Sequence, residues 1–215
     1  MNEVEEMFDE DYFLRGKETG KSLYRDYRWL PELTIPMVCS IIGHLGIKHD
    51  DTILDFGCAR GYVVKAFREM GYHAYGFDIS EWAVENSDLD VRPYLTCCKG
   101  LMLNTTTYNW IIAKDVLEHI PTVSDTITRL LEVASTGVFA VVPLSAVDGN
   151  KYVVRCYEKD VTHIHRLTLS SWVSIFARPG WSVEASYRVK GVKDNYWRPM
   201  FKLGNGFITA RRVEE

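Results

Sequence analysis

The chain lacks a pair of cysteines at redox or metal spacing, a long apolar run and an excess of positive charge. Each absence removes a class of protein. Its five cysteines (Cys39, Cys58, Cys97, Cys98, Cys156) form no C-x-x-C pair, and an odd count fits reduced thiols better than a disulfide frame. A metal site built from His163 and His165 with Asp160 is the minor alternative, but no second ligand pair stands at metal spacing, so no metal site is expected. The most strongly apolar stretch, Val138 to Val142, is far too short to cross a bilayer. The acidic start, Met1 to Asp11, has no apolar core of the kind a secretory signal needs. A formal charge of −4 at pH 7 leaves no overall basic face for a phosphate backbone, which argues against a nucleic-acid partner. What remains is 47 % hydrophobic and 25 % charged over 215 residues, the make-up of one globular domain with a full-sized core. The expected location is the cytoplasm, with no membrane partner.

From about Thr52 onward, apolar strand-like runs alternate with helical periodicity, the mark of a mostly parallel sheet covered by helices. The spacing predicts strands at Thr52–Phe56, His73–Phe77, Val91–Thr96, Trp110–Lys114 and Val138–Val142, with Ser182–Val189 and Phe207–Arg212 as closing strands. It predicts helices at Pro36–Leu45, Tyr62–Met70, Ser80–Glu85, Thr122–Ala134 and Ser171–Ala177. In the helix after the first strand, Val63, Ala66, Phe67 and Met70 fall on one face. The chain is expected to form a single domain, with an N-terminal and helical segment, 1–50, ahead of the sheet-bearing core, 51–215.

The sharpest segment is Ile53-Leu54-Asp55-Phe56-Gly57-Cys58-Ala59-Arg60-Gly61. A buried strand runs into a tight turn with small residues at 57, 59 and 61, and a helix starts at once. Small side chains let a ligand approach the backbone and allow positive φ. Asp55, just before the turn, is placed to meet a ligand's ammonium group. Asp78, ending the second strand, can accept both hydroxyls of a ribose. A nucleoside site at the carboxyl ends of these strands accounts for all of this together. The dinucleotide fingerprint G-x-G-x-x-G is not matched, since Tyr62 stands where its last glycine would fall. Asp55 would also face a pyrophosphate badly. S-adenosylmethionine (SAM) has an ammonium and no phosphate, so the pattern favours it over a nicotinamide dinucleotide.

At these residues the chain resembles the class I SAM-dependent methyltransferases. Asp55-Phe56-Gly57-Cys58-Ala59-Arg60-Gly61 is similar to their first motif, D-x-G-C-G-x-G, with Ala59 in place of a glycine. Gly76-Phe77-Asp78-Ile79-Ser80 resembles the second. Asp115-Val116-Leu117-Glu118-His119-Ile120 resembles the stretch after the fourth strand in the ubiquinone-biosynthesis-like branch, as does the region from Asp160 to Phe176. The chain departs from the family at Tyr108-Asn109 before the fourth strand, and near Cys97 and Cys98, where the acid approaching adenine is missing. The resemblance implies a three-layer αβα sandwich, Rossmann-like, with a seven-stranded, mostly parallel sheet whose last strand is antiparallel. It implies methyl transfer from SAM, releasing S-adenosylhomocysteine (SAH). Asp55, Phe56, Gly57, Cys58, Ala59, Gly61, Asp78, Ile79, Lys114 and Asp115 become the expected cofactor contacts. Tyr24 and Trp29 join them if the N-terminal segment folds over the cofactor as a lid; plain packing against the sheet is the competing view.

His119, His163 and His165 are the candidate proton handlers, because histidine titrates where an oxygen or nitrogen acceptor must lose a proton. A structural role for His119 at a helix end is the alternative. Lys193, Tyr196, Trp197 and Arg198 form a locally cationic, aromatic stretch between the last strands. They are the expected acceptor contacts for an anionic small molecule, against the simpler reading of a solvated hairpin. Two other uses of such a cavity stand beside methyl transfer: a non-catalytic SAM- or nucleoside-binding partner subunit, and a dinucleotide oxidoreductase.

Overall fold

The computed structural model describes residues 5–98, 106–193 and 202–213. Seven strands form one sheet: β1 (Thr52–Phe56), β2 (His73–Asp78), β3 (Leu95–Cys97), β4 (Tyr108–Lys114), β5 (Ala134–Pro143), β6 (Trp181–Ser186) and β7 (Asn205–Arg212). Their spatial order is β3-β2-β1-β4-β5-β7-β6. The pairs from β3 through β5 are parallel, and β7 runs antiparallel to β5 on one side and β6 on the other. The expected Rossmann-like architecture with an antiparallel last strand is therefore present.

Strand residues alternate between two cores because successive side chains point to opposite faces. Ile53, Trp110, Ile112, Phe139 and Val141 pack with Val38, Ile41, Val64 and Phe67. Those partners come from α3 (Pro31–Leu45) and α4 (Tyr62–Glu69), which cover this face. Leu54, Ile111, Ala113, Val138 and Ala140 pack on the other face with Ile127, Leu130, Trp172 and Phe176. These belong to α6 (Val123–Val133) and α7 (Leu169–Phe176). Burying the central strands on both sides requires the near-continuous apolar runs that the sequence shows there.

Several boundaries differ from the periodicity. The helix expected at Pro36 begins at Pro31, which occupies the first turn with its φ already set for a helix. Pro36 lies inside, and burial of Val38 and Ile41 outweighs its missing N–H. β5 starts at Ala134, straight out of α6, where Ser135 and Thr136 carry no apolar signal. β6 stops at Ser186, whose hydroxyl bonds the backbone of Arg188 and turns the chain. Two short helices, α1 (Glu10–Leu14) and α2 (Gly16–Thr19), occupy a stretch with no clear period; Asp9 caps the first by accepting from the Tyr12 N–H at 3.0 Å. A further short helix, α5 (Glu81–Glu85), starts at its Ser80 cap as the sequence reads. Among the described residues, no helix is long and apolar enough to cross a membrane.

Candidate functional site

The carboxyl ends of β1, β2 and β4 open onto a cavity of about 670 Å³, the position where open parallel sheets bind ligands. Its floor is the turn between β1 and α4. Gly57 has φ +81° and Gly61 φ +75°, both in the left-handed region. A Cβ at Gly57 would lie 2.4 Å from Val116 Cγ2, so only glycine fits. Ala59 sits at φ +50°, which costs an ordinary residue about 1–2 kcal/mol. A 2.6 Å hydrogen bond from its N–H to Asp78 Oδ2 helps hold it there.

The N–H groups of this turn are all but spent on the protein itself. Those of Gly57 and Cys58 donate to the Phe77 carbonyl at 2.8 and 3.0 Å, and that of Gly61 donates to the Cys58 carbonyl at 2.8 Å. With Ala59 bound to Asp78, the turn offers little to a pyrophosphate. It presents carboxylates instead. Asp55 and Asp78 both line the cavity and both are buried. Burial raises the Asp55 pKa to about 7, against a pull downward from Lys114 and a further push from Asp78. Burial also raises Asp78, partly offset by the N–H groups of Ser80 and Ala59. Burial pushes the Cys58 thiol well above its usual range, which removes it as a nucleophile.

On the β4 side, Lys114 reaches Asp115 at 2.6 Å, and the Lys193 ammonium bonds the other oxygen of the same carboxylate. Burial alone would raise the Asp115 pKa, but the two lysines together hold it well below the usual range. Lys193 also bonds Asn205 Oδ1 at 3.1 Å. This corrects the expectation for Lys193: it is held together with Lys114 on the Asp115 carboxylate and is not among the residues that line the cavity. Tyr196, Trp197 and Arg198 lie outside the described residues.

The N-terminal segment closes the cavity from above. Tyr12, Phe13, Tyr24 and Tyr27 line it, and Phe13 stacks on Trp82 of α5 with centroids 5.6 Å apart. Polar ties hold the segment down, among them a bond from the Val161 N–H to the Lys21 carbonyl at 3.3 Å. Ser80 donates to the Phe8 carbonyl at 2.6 Å, Arg60 to the Tyr27 carbonyl at 2.9 Å, and the Tyr12 hydroxyl to Asp160 Oδ2 at 2.8 Å. Trp29 is not part of this cover. It packs outside against Tyr62 and Lys65, because the chain has by then turned toward α3.

The three histidines separate. His119, on a 3-10 turn at Leu117–His119, lines the cavity. Its Nδ1 is 2.7 Å from Thr162 Oγ1, and that hydroxyl donates to Asp160 Oδ1. The hydroxyl has one proton to give, so His119 Nδ1 must carry a hydrogen and its Nε2 an open lone pair. Burial, and then the nearby His163, lower the His119 pKa and keep the ring neutral. His163 lies behind, its ring 4.6 Å from that of His119, and burial lowers its pKa as well. His165 is placed elsewhere: its Nε2 is 2.7 Å from the Ile120 carbonyl and its ring faces Trp172, so it ties a loop to the core and does not reach the cavity.

Of the expected cofactor contacts, Asp55, Phe56, Gly57, Cys58, Ala59, Asp78, Ile79, Lys114, Asp115 and Tyr24 line this one cavity. Gly61 lies just outside as the cap of α4, where a Cβ would meet Leu95 Cδ1 at 2.7 Å. Glu118 and Thr162, which the sequence does not single out, stand beside His119 and Asp160 here. Glu118 is 1 % exposed, and burial followed by repulsion from Asp115 raises its pKa. A carboxylate inside an otherwise apolar run was the available signal.

Comparison with known proteins accords with this geometry. Residues 35–186 match the family described as a methyltransferase domain. No curated protein sequence matches significantly. Among solved structures, magnesium protoporphyrin IX methyltransferase from Synechocystis PCC 6803, crystallised with SAH, is 19 % identical with a TM-score of 0.61, over 83 % of this chain and 83 % of its own. The plantazolicin methyltransferase BpumL, in complex with a triazolic desmethylPZN analog and SAH, is 13 % identical with a TM-score of 0.67, over 99 % of this chain and 98 % of its own. The cyclase SpnF is 12 % identical with a TM-score of 0.68, over 99 % of this chain and 96 % of its own. At these identities the likeness is one of fold. The family match spans well over half the sequence, and the chain belongs to the methyltransferase domain family.

Proposed function

We propose that this protein transfers a methyl group from SAM to an oxygen or nitrogen of a small-molecule acceptor and releases SAH. The observation that carries the reading is the turn whose N–H groups are engaged internally while Asp55 and Asp78 face one cavity. That arrangement suits a ligand with an ammonium and a ribose but no phosphate. The volume of about 670 Å³ falls within the roughly 300–1,000 Å³ usual for small-ligand sites. Asp55 would hold the amino group, Asp78 the ribose hydroxyls, and Tyr24 and Tyr27 would cover the ligand and exclude water. SAM supplies an electrophilic methyl group on a sulfonium, which the acceptor's lone pair displaces. Most of the protein's contribution is then alignment of donor and acceptor. His119, which lines the cavity and is oriented by Thr162 through its Nδ1, is the side chain we assign to acceptor handling.

The test is a calorimetric panel of SAM, SAH, NAD and NADP, followed by label transfer from methyl-tritiated SAM into small-molecule acceptor pools. SAM and SAH should bind and both dinucleotides should not. Binding of NAD or NADP without SAH would overturn the reading. The similarity to SpnF, a [4+2]-cyclase, favours one second reading: a SAM-binding fold used without methyl transfer. Tight SAH binding with no label transfer to any pool would select it.

A further inference from the structure

Beside the cavity, behind the cover formed by Phe8 and Tyr12, three buried side chains converge with too few partners of their own. Glu118, His119 and His163 each offer a ligand atom, and these atoms all lie within 4.8 Å of one another. The side chains are 1 %, 8 % and 8 % exposed. Glu118 Oε2 makes no hydrogen bond, and Glu118 Oε1 stands 3.9 Å from His163 Nε2, too far for one. His163 Nδ1 likewise lacks a hydrogen bond of good geometry. A buried carboxyl oxygen without a hydrogen-bond partner is costly to leave in place. A cluster of this kind calls for something to fill it.

We propose that Glu118, His119 and His163 bind a divalent first-row metal ion, for which zinc or cobalt suits the donor set. Two imidazole nitrogens and one carboxylate are the three protein ligands of many open zinc sites, and imidazole selects such ions over magnesium. The atoms need to close only modestly, since ligands of a tetrahedral ion stand roughly 3.4 Å apart. The backbone already fixes the juxtaposition: the N–H groups of Ile164 and His165 donate to the Glu118 carbonyl at 3.0 and 3.3 Å. The outer partners fit as well. The chain from His119 Nδ1 through Thr162 to Asp160 presents the His119 Nε2 lone pair, the orienting arrangement that metal-binding histidines use. Asp160 Oδ2, which also accepts from Tyr12, lies 3.9 Å from His163 Nε2. The carboxylates of Asp115 and Asp160 offset the ammonium groups of Lys114 and Lys193 around this place, which leaves the Glu118 carboxylate to meet the charge of the ion.

Three protein ligands leave coordination positions open, and His119 lines the cavity, so the ion would take an oxygen of the acceptor there. This deepens the methyl-transfer reading and rests on it for the acceptor alone. It names the acceptor class as a molecule presenting a hydroxyl or carboxylate oxygen, drawn to the metal's charge where Lys193 offers none.

Metal-stripped protein should be titrated with Co²⁺ and followed by visible absorption and calorimetry, with SAH binding measured in parallel. One equivalent should bind per chain with a ligand-field spectrum, and X-ray absorption of the Zn²⁺ form should show imidazole scattering. Glu118→Gln and His163→Gln should each weaken Co²⁺ binding at least ~10-fold while changing SAH affinity less than about 3-fold. Wild-type protein that binds SAH but takes up neither ion stoichiometrically overturns the proposal. So does Co²⁺ affinity unchanged in both variants, or a zinc spectrum without imidazole, which needs no variant. Metal binding without SAH binding would instead sink the methyl-transfer reading and leave the metal site standing.

Discussion

If Asp55 holds the amino group of the cofactor, the affinity for SAH must follow its ionisation. Burial lifts its pKa to about 7 in the ligand-free protein, from 3.8 in an unfolded chain. Below that value the site must lose a proton before it can offer a charge to the ligand, so the apparent Kd is multiplied by one plus the ratio of protonated to ionised Asp55. At pH 8 that factor is near one; at pH 5.5 it is about 30. Calorimetry of SAH binding between these limits should therefore show affinity rising about 30-fold with pH, levelling above 7.5. Proton release should accompany binding at low pH. Asp55→Asn should bind SAH about 10- to 100-fold more weakly at pH 8, through loss of a charge-assisted bond of roughly 1.5–3 kcal/mol. Its residual affinity should no longer vary with pH through this group. Stability moves the other way. A carboxyl that holds its proton more tightly when folded loses stability as pH rises from about 4 through 7. Above pH 7 the ligand-free Asp55→Asn protein should thus exceed wild type by as much as roughly 4 kcal/mol in urea unfolding. Glu118 titrates abnormally too, so the variant is the deciding control. An unchanged pH dependence in Asp55→Asn, or a flat profile in wild type, would refute the assignment.

Asp78→Ala should weaken SAH binding by roughly 1.5–3 kcal/mol for each ribose bond lost, and unaltered affinity in a folded variant would remove Asp78 from the site. Gly57→Val should abolish SAH binding, since its Cβ would run into Val116 at 2.4 Å in a left-handed backbone; normal binding would mean that this turn is not the cradle. Amide exchange over residues 8–27 should slow when SAH is added, because Tyr12, Phe13, Tyr24 and Tyr27 line the filled cavity. Equal protection with and without ligand would reduce the segment to simple packing.

The parallel core was legible because its physics is local. The near-continuous apolar runs of β1, β4 and β5 follow from burial on two faces, and the stripes of α4 and α6 from burial on one. The turn at 57–61 was legible for the same reason, since small residues and flanking acids act within a few positions of one another. The N-terminal cover was readable as a cluster of aromatics but not as α1 and α2, which are too short to have a period. Trp29 and Tyr24, five residues apart, looked alike; what separates them is the onset of α3, fixed by packing on α4. His163 and His165 looked like a pair on one side of an extended strand. The backbone there bends to meet Glu118, which sends one ring inward and the other to the Ile120 carbonyl. The convergence of Glu118, His119 and His163 spans more than forty residues, and no spacing rule reports it.

The position of β7 carries a consequence for the life of the newly made chain. It is the last strand in sequence, yet it is wedged between β5 and β6. When synthesis has passed residue 186, the strand that joins these two does not yet exist. Until 205–212 arrive, the apolar run from Val138 to Val142 presents an unpaired edge, a template for joining strands of another molecule. The nascent protein must therefore pass its most adhesive moment late, with most of its sheet already assembled.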